Sequence, residues 1–311
     1  MQTLGIDLGG TFARAAVVDE QGTLLGVAKT ALTDRTPQGV VEAIAGAAAS
    51  ALQQAPGAKV THCGVGVAAQ LEGPSGFVLV APNLGWRNVP FGELLSRRLN
   101  HAVRVVNDLS AAAWGEFSVG ASRGAREVWT VFVGSGVGSA IIANGQLVHG
   151  ARGVAGELGH VKVVPNGRLC GCGEHGCVEA YAGGHQLILQ MKDALEAGKA
   201  PLLAELAAGQ EPSPSHLEKA AEAGDPEAKV IYQRALDYLS LCLGNQLTML
   251  NPAKLILGGG VLMHAPNFRK QLEKRALVFA SVASRTGLEV HSAALGDDSG
   301  LIGAALLAAP S

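Results

Sequence analysis

A tight glycine turn between two apolar, strand-like runs occurs twice in this chain, and no other feature narrows its fold as much. The first turn, Gly9-Gly10-Thr11, joins Leu4–Leu8 to Arg14–Val18, and Asp19-Glu20-Gln21-Gly22 then leads into a third run, Thr23–Lys29. The second, Gly134-Ser135-Gly136-Val137-Gly138, follows Glu127–Val133. Ser139–Ala143 then passes through Asn144-Gly145, a favoured hairpin pair, into Gln146–Val148. The same design in both places predicts two related α/β halves. The second turn is not the dinucleotide fingerprint, because its third glycine comes too early and a strand-like run follows it. Glycines at strand ends let backbone N–H groups come close to a phosphate, and Thr11 adds a hydroxyl donor. Asp7, ending the first strand, is an oxygen donor suited to magnesium through water. Taken singly, either turn also reads as an ordinary hairpin; the pair predicts phosphates held between the halves.

The remaining elements fit this plan. A helix is expected over Pro37–Gln54, stopped by Pro56-Gly57, then a strand over Val60–Ala68 and a helix over Glu93–Leu99. Val103–Val106 reads as a strand, Leu109–Phe117 as a helix, and a boundary falls near Val119–Arg126. Gly183–Glu222 reads as helical with a break at Glu211–Ser215, followed by a long helix over Pro226–Leu250. Leu255–Leu257 is a strand ending in Gly258-Gly259-Gly260, and Gly300–Ala309 an apolar helix that packs back on the first half. With 311 residues, 48% hydrophobic and 16% charged, the chain has material for two cores and is not a disordered or coiled-coil protein. A formal charge of -2 announces neither a nucleic-acid binder nor a membrane-surface protein. The charge-free stretch 128–151 carries too many glycines and amides for a membrane span and reads as strands with turns. The opening residues do not resemble a signal peptide, so a cytoplasmic protein is expected.

Two places carry chemistry beyond the turns. Asn107-Asp108 follows a strand and precedes a helix: it reads as a helix cap, or as a carboxylate at the mouth of a sheet that takes a proton from an attacking hydroxyl. His160, Cys170, Cys172 and Cys177 match a closed tetrahedral zinc site, with glycines between the thiols permitting the tight loop. His175 is the poorer imidazole candidate, inside the thiol loop. Glu157 and Glu179 flank the loop; they read either as acceptors for sugar hydroxyls or as solvated surface groups. Cys63 and Cys242, in apolar surroundings, read as core residues.

These residues together resemble the ROK family of sugar kinases, within the actin-like ATPase superfamily, and bacterial ROK glucokinases most of all. The likeness runs from Leu4-Gly-Ile-Asp-Leu-Gly-Gly-Thr11 to Gly300-Leu-Ile-Gly-Ala304 and is most specific over Gly156–Tyr181. It implies two actin-like, ribonuclease H-like α/β domains with an interdomain cleft that closes over the sugar. The first would span 1–120 with the helix of about 298–311 packed on it, and the second, with the zinc loop, 121–297. It implies Asp108 as general base toward the 6-hydroxyl, and Asn83, Asn107, Glu157, His160 and Glu179 as sugar contacts. Gly9, Gly10, Thr11, Gly134, Ser135 and Gly136 would hold the ATP phosphates, and Gly258, Gly259 and Gly260 would lie against the adenosine. The implied cofactors are ATP, Mg2+ and structural Zn2+; the implied assembly is a homodimer or a tetramer built from dimers. Three positions depart from the family pattern: Phe12 where lysine is common, Ser135 for a common threonine, and Val67-Ala68-Ala69-Gln70 for a Pro-Gly-rich turn.

The expected function is ATP-dependent phosphorylation of a hexose. Glucose leads because Asn83-Leu-Gly-Trp86 and Cys177-Val-Glu-Ala-Tyr181 resemble glucokinases more than amino-sugar kinases. Mannose, fructose, N-acetylglucosamine and N-acetylmannosamine remain alternatives, as does polyphosphate as donor. A sugar-sensing ROK repressor is disfavoured because Asp7 arrives at the seventh residue, leaving no room for a DNA-binding domain. A nucleotide-binding module without turnover and a dehydrogenase are weaker readings still.

Overall fold

The residues around the first glycine turn build one edge of a sheet. In the computed structural model, which describes residues 2–73 and 75–309, β1 (Gln2–Leu8), β2 (Phe12–Asp19) and β3 (Leu24–Ala31) run antiparallel. Residues 310 and 311 of the expected C-terminal helix lie outside the described residues. Thr36 caps α1 (Pro37–Gln54) by accepting from Gly39 N, and Pro37 presets its first turn. β4 (Val60–Val67) follows, then β5 (Gln70–Glu72), β6 (Phe77–Ala81) and β7 (Trp86–Val89), which form a small antiparallel sheet that the sequence reading did not anticipate. Trp86 is buried there, donates from Nε1 to the Arg35 carbonyl at 2.7 Å, and packs on Phe91. After α2 (Phe91–Leu99) come β8 (Ala102–Asn107) and α3 (Asp108–Ser118). The main sheet has the order β3-β2-β1-β4-β8, with β1, β4 and β8 parallel. Leu8 pairs with Val67 and Val67 with Asn107, so the carboxyl ends of the three parallel strands share one edge.

The second sheet repeats the theme in the order β11-β10-β9-β12-β13. β9 (Val128–Val133) enters the second glycine turn, and β10 (Val137–Ala143) and β11 (Gln146–Leu147) form a hairpin with Asn144 and Gly145 both at positive φ. After the short α4 (Glu179–Ala182), the helical stretch expected over 183–222 is three helices: α5 (Gly184–Glu196), α6 (Pro201–Ala207) and α7 (Pro214–Ala223). α8 (Pro226–Leu250) is the long helix. Its cap Asp225 is fully buried and accepts four backbone N–H groups, from Glu227 and Ala228 of its own first turn and from Leu202 and Leu203 of α6. One carboxylate therefore joins the starts of two helices. β12 (Lys254–Gly258) lies parallel to β9 and to β13 (Glu289–Ser292), with α9 (Gly260–His264), α10 (Pro266–Phe279) and α11 (Val282–Arg285) between them.

α12 (Ser299–Ala308) is apolar all round because it is buried all round. It packs on β1, β4 and α3 through glycines. A Cβ on Gly5 would lie 2.2 Å from the Leu301 carbonyl, one on Gly64 1.7 Å from the Ala304 carbonyl, and one on Gly303 1.7 Å from the Ala111 carbonyl. Just upstream, buried Glu116 of α3 accepts from the Ala294 and Leu295 amides and ties the approach to α12 in place. Cys63 and Cys242 are core residues, and burial pushes the Cys242 thiol up to about 12.

The chain divides into two compact units. One comprises Met1–Arg126, Ala140–Gly156 and Ala293–Ser311, the other Glu127–Ser139 and Glu157–Ser292. The sequence reading has a single crossing near Val119–Arg126. Residues 140–156 group instead with the first unit: the hairpin amide of Gly145 donates to the Arg126 carbonyl at 2.9 Å, and Gly153 lies against the Leu71 carbonyl. Among the described residues, no helix is long and apolar enough to cross a membrane.

Candidate active site

In the first unit the aligned strand ends gather the candidates. Asp7 and Val106 pair with the same residue, Gly66, from opposite sides, so Asp7 and the Asn107-Asp108 pair stand two strands apart on one edge, about 10 Å across. Asn107 is the helix cap: its Oδ1 accepts from Leu109 N at 3.0 Å and Ser110 N at 3.2 Å, leaving its amide N–H groups as donors. Asp108 is the first residue of α3, with Oδ1 accepting from Leu109 N at 2.9 Å. The two readings of this pair therefore divide between its members. Capping falls to Asn107, and a half-buried carboxylate at a helix N-terminus, where negative charge is favoured, to Asp108.

The first glycine turn is closed by Gly9 N donating to the Phe12 carbonyl at 3.0 Å. A Cβ on Gly10 would lie 3.3 Å from the Asn83 Cβ, so exposed Asn83 and the turn adjoin. Burial raises the carboxyl of Asp7, and Arg14, its cross-strand partner, opposes that shift. Arg14 in turn donates to the Asp297 carbonyl at 2.6 Å and pairs with Asp298. At Phe12, one of the positions that depart from the pattern of the resemblance, the ring carries the Lys29 ammonium 3.8 Å from its centroid. A cation is thus held beside residue 12 although residue 12 is not one.

In the second unit, the loop 160–177 folds into a cluster. The ligand atoms of His160, Cys170, Cys172 and Cys177 all lie within 4.8 Å of one another. Cys172 and Cys177 sulfurs are 3.8 Å apart, and Cys170 Sγ is 3.9 Å from His160 Nδ1. Thiolates at tetrahedral positions around zinc, each about 2.3 Å from it, would be about 3.8 Å apart. The donor set fits such an ion. His175 is exposed, outside this group, and spends its Nδ1 on the Gly167 carbonyl at 2.9 Å. The Lys162 ammonium donates to Cys177 Sγ at 3.0 Å and pairs with Glu174, an interaction the sequence reading missed; together they hold Lys162 above the ordinary lysine range. With Nδ1 of His160 facing Cys170, Nε2 lies 3.8 Å from Glu157, so one ring spans the cluster and the exposed glutamate.

The second glycine turn is stitched to the segment after the cluster. Gly184 N donates to the Gly134 carbonyl at 2.9 Å and His185 N to the Ser135 carbonyl at 2.8 Å. Val137 N donates to Glu179 Oε2 at 2.9 Å, and Glu179 Oε1 lies 3.6 Å from Cys170 Sγ. Gly259, at positive φ, sits so close to β9 that a Cβ would come 2.5 Å from the Val133 carbonyl. A cavity of about 660 Å³ opens where these pieces meet. Gly134, Ser135 and Gly260 line it, together with Gly184, His185, Ile188, Ser213–Ser215, Val261 and His264. Gly136 is not among its lining residues and faces Glu179 instead. The sequence reading missed the α5 side and the Ser213–Ser215 lip. The Gly183-Gly184 pair ahead of His185 was the available signal.

The chain is similar to known proteins over nearly its whole length. The model of the ROK family matches residues 3–310. A glucokinase of Streptomyces coelicolor is 37% identical over 315 residues, covering 98% of this chain and 97% of that protein. A ROK family glucokinase of Streptomyces griseus, solved in complex with glucose and AMPPNP, superposes with a TM-score of 0.84 at 36% identity over 99% of both chains. A ROK hexokinase of Thermus thermophilus superposes with a TM-score of 0.83 at 30% identity, over 99% of this chain and 98% of that one.

Proposed function

The chain belongs to the ROK family, and from that premise we propose that it is a hexose kinase that transfers the γ-phosphoryl group of ATP to the 6-hydroxyl of glucose. The observation that carries the reading is the 660 Å³ cavity of the second unit, which opens at the turn Gly134-Ser135 and runs to Gly260. It offers an apolar hollow for a base directly beside a glycine turn for phosphates.

In this reading Asp108 accepts the proton of the sugar 6-hydroxyl as its oxygen attacks the γ-phosphorus, and ADP leaves. The products are glucose 6-phosphate, ADP and a proton held first on Asp108. Asn83 and the amide N–H groups of Asn107 bind sugar hydroxyls. Glu157 and Glu179 accept from sugar hydroxyls, and His160 presents Nε2 to the sugar while Nδ1 faces the Cys cluster. Gly9, Gly10 and Thr11, with Gly134, Ser135 and Gly136, hold the phosphates; Gly258, Gly259 and Gly260 border the adenosine. Magnesium, held through water by Asp7, would supply positive charge to the phosphate oxygens. Zinc in the His160, Cys170, Cys172 and Cys177 cluster would fix the loop that carries His160, a structural role with no open position for a reacting water. The enzyme is placed in the cytoplasm, where ATP and sugar are at hand, as a homodimer or a tetramer of dimers. Met249, Val278, Phe279 and Val282 are exposed apolar residues available to such an assembly.

ADP formation from Mg-ATP is to be measured across glucose, mannose, fructose, N-acetylglucosamine and N-acetylmannosamine. Glucose is expected to give the highest kcat/KM. A higher value for an amino sugar would move the assignment to an amino-sugar kinase, and no sugar-dependent ADP would sink it. Replacing Cys172 with alanine is expected to lower bound zinc from about one per chain to well under half, and to raise the sugar KM about tenfold or more because His160 loses its anchor. Full zinc in that variant would show that the ligand set is wrong.

A further inference from the structure

The half-buried side chain of Glu179 sits among glycines. Three glycines from separate segments surround it: a Cβ on Gly136 would lie 2.3 Å from Oε2, one on Gly159 3.2 Å from the same oxygen, and one on Gly183 3.0 Å from Cγ. Its two oxygens are both engaged inside the second unit, Oε2 by Val137 N at 2.9 Å and Oε1 near Cys170 Sγ at 3.6 Å. Val137 closes the second phosphate turn, and Cys170 belongs to the metal cluster. Glu179 also follows a second cluster member, Cys177, by two residues. Nothing else bridges the turn and the cluster through one side chain among the described contacts.

We propose that Glu179 is a positioning residue for the nucleotide: its carboxylate clamps the turn Gly134–Gly138 to the metal loop, so that ordering of that loop sets nucleotide affinity. The inference rests on the kinase reading for the identity of the ligand. It differs from a sugar-contact role, which predicts an effect on sugar binding alone. The turn is held from outside by three bonds, from Gly184, His185 and Glu179, and only the last depends on a side chain that can be removed. Without it Val137 N is left without that partner, and the turn loses its shape on the side facing the cluster. A bound metal would hold Cys177, two residues before Glu179, in one place and so narrow the positions open to Glu179.

The test is the affinity for Mg-AMPPNP measured calorimetrically without sugar, so that neither turnover nor sugar contact enters. Glu179→Ala is expected to weaken binding about tenfold or more, the worth of one hydrogen bond to a charged group. Glu179→Gln, whose amide oxygen can still accept from Val137 N, is expected to stay within about threefold of the parent. Chelator-stripped parent protein is expected to weaken like Glu179→Ala, and stripping Glu179→Ala to add little, because coupled perturbations are not additive. Unchanged affinity in folded Glu179→Ala, or effects of stripping and substitution that multiply, would overturn the proposal. Amide exchange at Val137 in the parent protein gives a second readout independent of any variant. It is expected to accelerate about tenfold when the metal is removed, and equal rates with and without metal would overturn the proposal. A protein that bound no AMPPNP would defeat the kinase reading, while the Val137 exchange rates would still decide the clamp.

Discussion

Replacing Asp108 with asparagine is expected to lower kcat for sugar phosphorylation by about a thousandfold, within the usual worth of a general base, while sugar KM moves by less than about threefold. Asparagine keeps the volume and keeps an oxygen able to accept from Leu109 N, the 2.9 Å bond that the aspartate makes at the start of α3. The cap itself belongs to Asn107, so the helix start survives the change. What disappears is the ability to take a proton. The transition state of phosphoryl transfer is loose, and proton transfer from the hydroxyl comes late in it. This argues against a loss at the upper end of the range, and the steady-state constants with Mg-ATP and glucose would place it. Turnover within a few fold of the parent enzyme would remove Asp108 as the base. A raised KM with kcat intact would make it a sugar ligand only.

Much of the site was legible because its pieces are local. A glycine turn between strands, three thiols within eight positions and an Asn-Asp pair at a strand end are each contained in a few residues, and their backbone requirements leave a mark in the sequence. What stayed hidden is non-local. Val137 is brought to the Glu179 carboxylate from another segment of the chain, far upstream, so nothing near Glu179 in sequence announced that partner. The Ser213–Ser215 lip of the cavity read only as a break between helices, since the wall it faces comes from residues 134–135, 184–188 and 260–264. The division of roles within Asn107-Asp108 also needed coordinates, because both residue types make good caps. β5, β6 and β7 escaped notice for a different reason: each is short, and Trp86 reads as a motif residue when its indole is in fact spent on the Arg35 carbonyl. The regrouping of residues 140–156 with the first unit had no sequence signal either. It depends on a hairpin amide meeting the Arg126 carbonyl.

The largest effect on folding is expected at Gly303, where even alanine should cost about 4 kcal/mol or more, beyond what ordinary substitutions do. α12 is confined on two sides. Toward α3, a Cβ at 303 would lie 1.7 Å from the Ala111 carbonyl and 2.7 Å from Gly115 N, both backbone atoms that no rotamer change can move. Toward the sheet, the Leu301 and Ala304 carbonyls already press on Gly5 and Gly64, whose missing Cβ atoms would stand 2.2 and 1.7 Å away. The helix therefore cannot retreat from α3 without driving its carbonyls into β1 and β4, and relaxation must break one contact surface or the other. Buried Leu301, Ala304 and Ala305 would be exposed in part whichever surface yields. For a chain of this size a loss of 4 kcal/mol lowers the unfolding midpoint by on the order of 10 °C, and the larger valine is expected to leave no soluble folded protein. Gly46 is the matched control. It lies on the exposed face of α1 with nothing within 4 Å of its would-be Cβ, so Gly46→Ala should raise stability by about 0.5–1 kcal/mol through helix propensity alone. Thermal unfolding of the two alanine variants beside the parent separates the effects by sign. If Gly303→Ala unfolded at or above the parent midpoint, α12 could not be held as tightly between α3 and the sheet as these distances require.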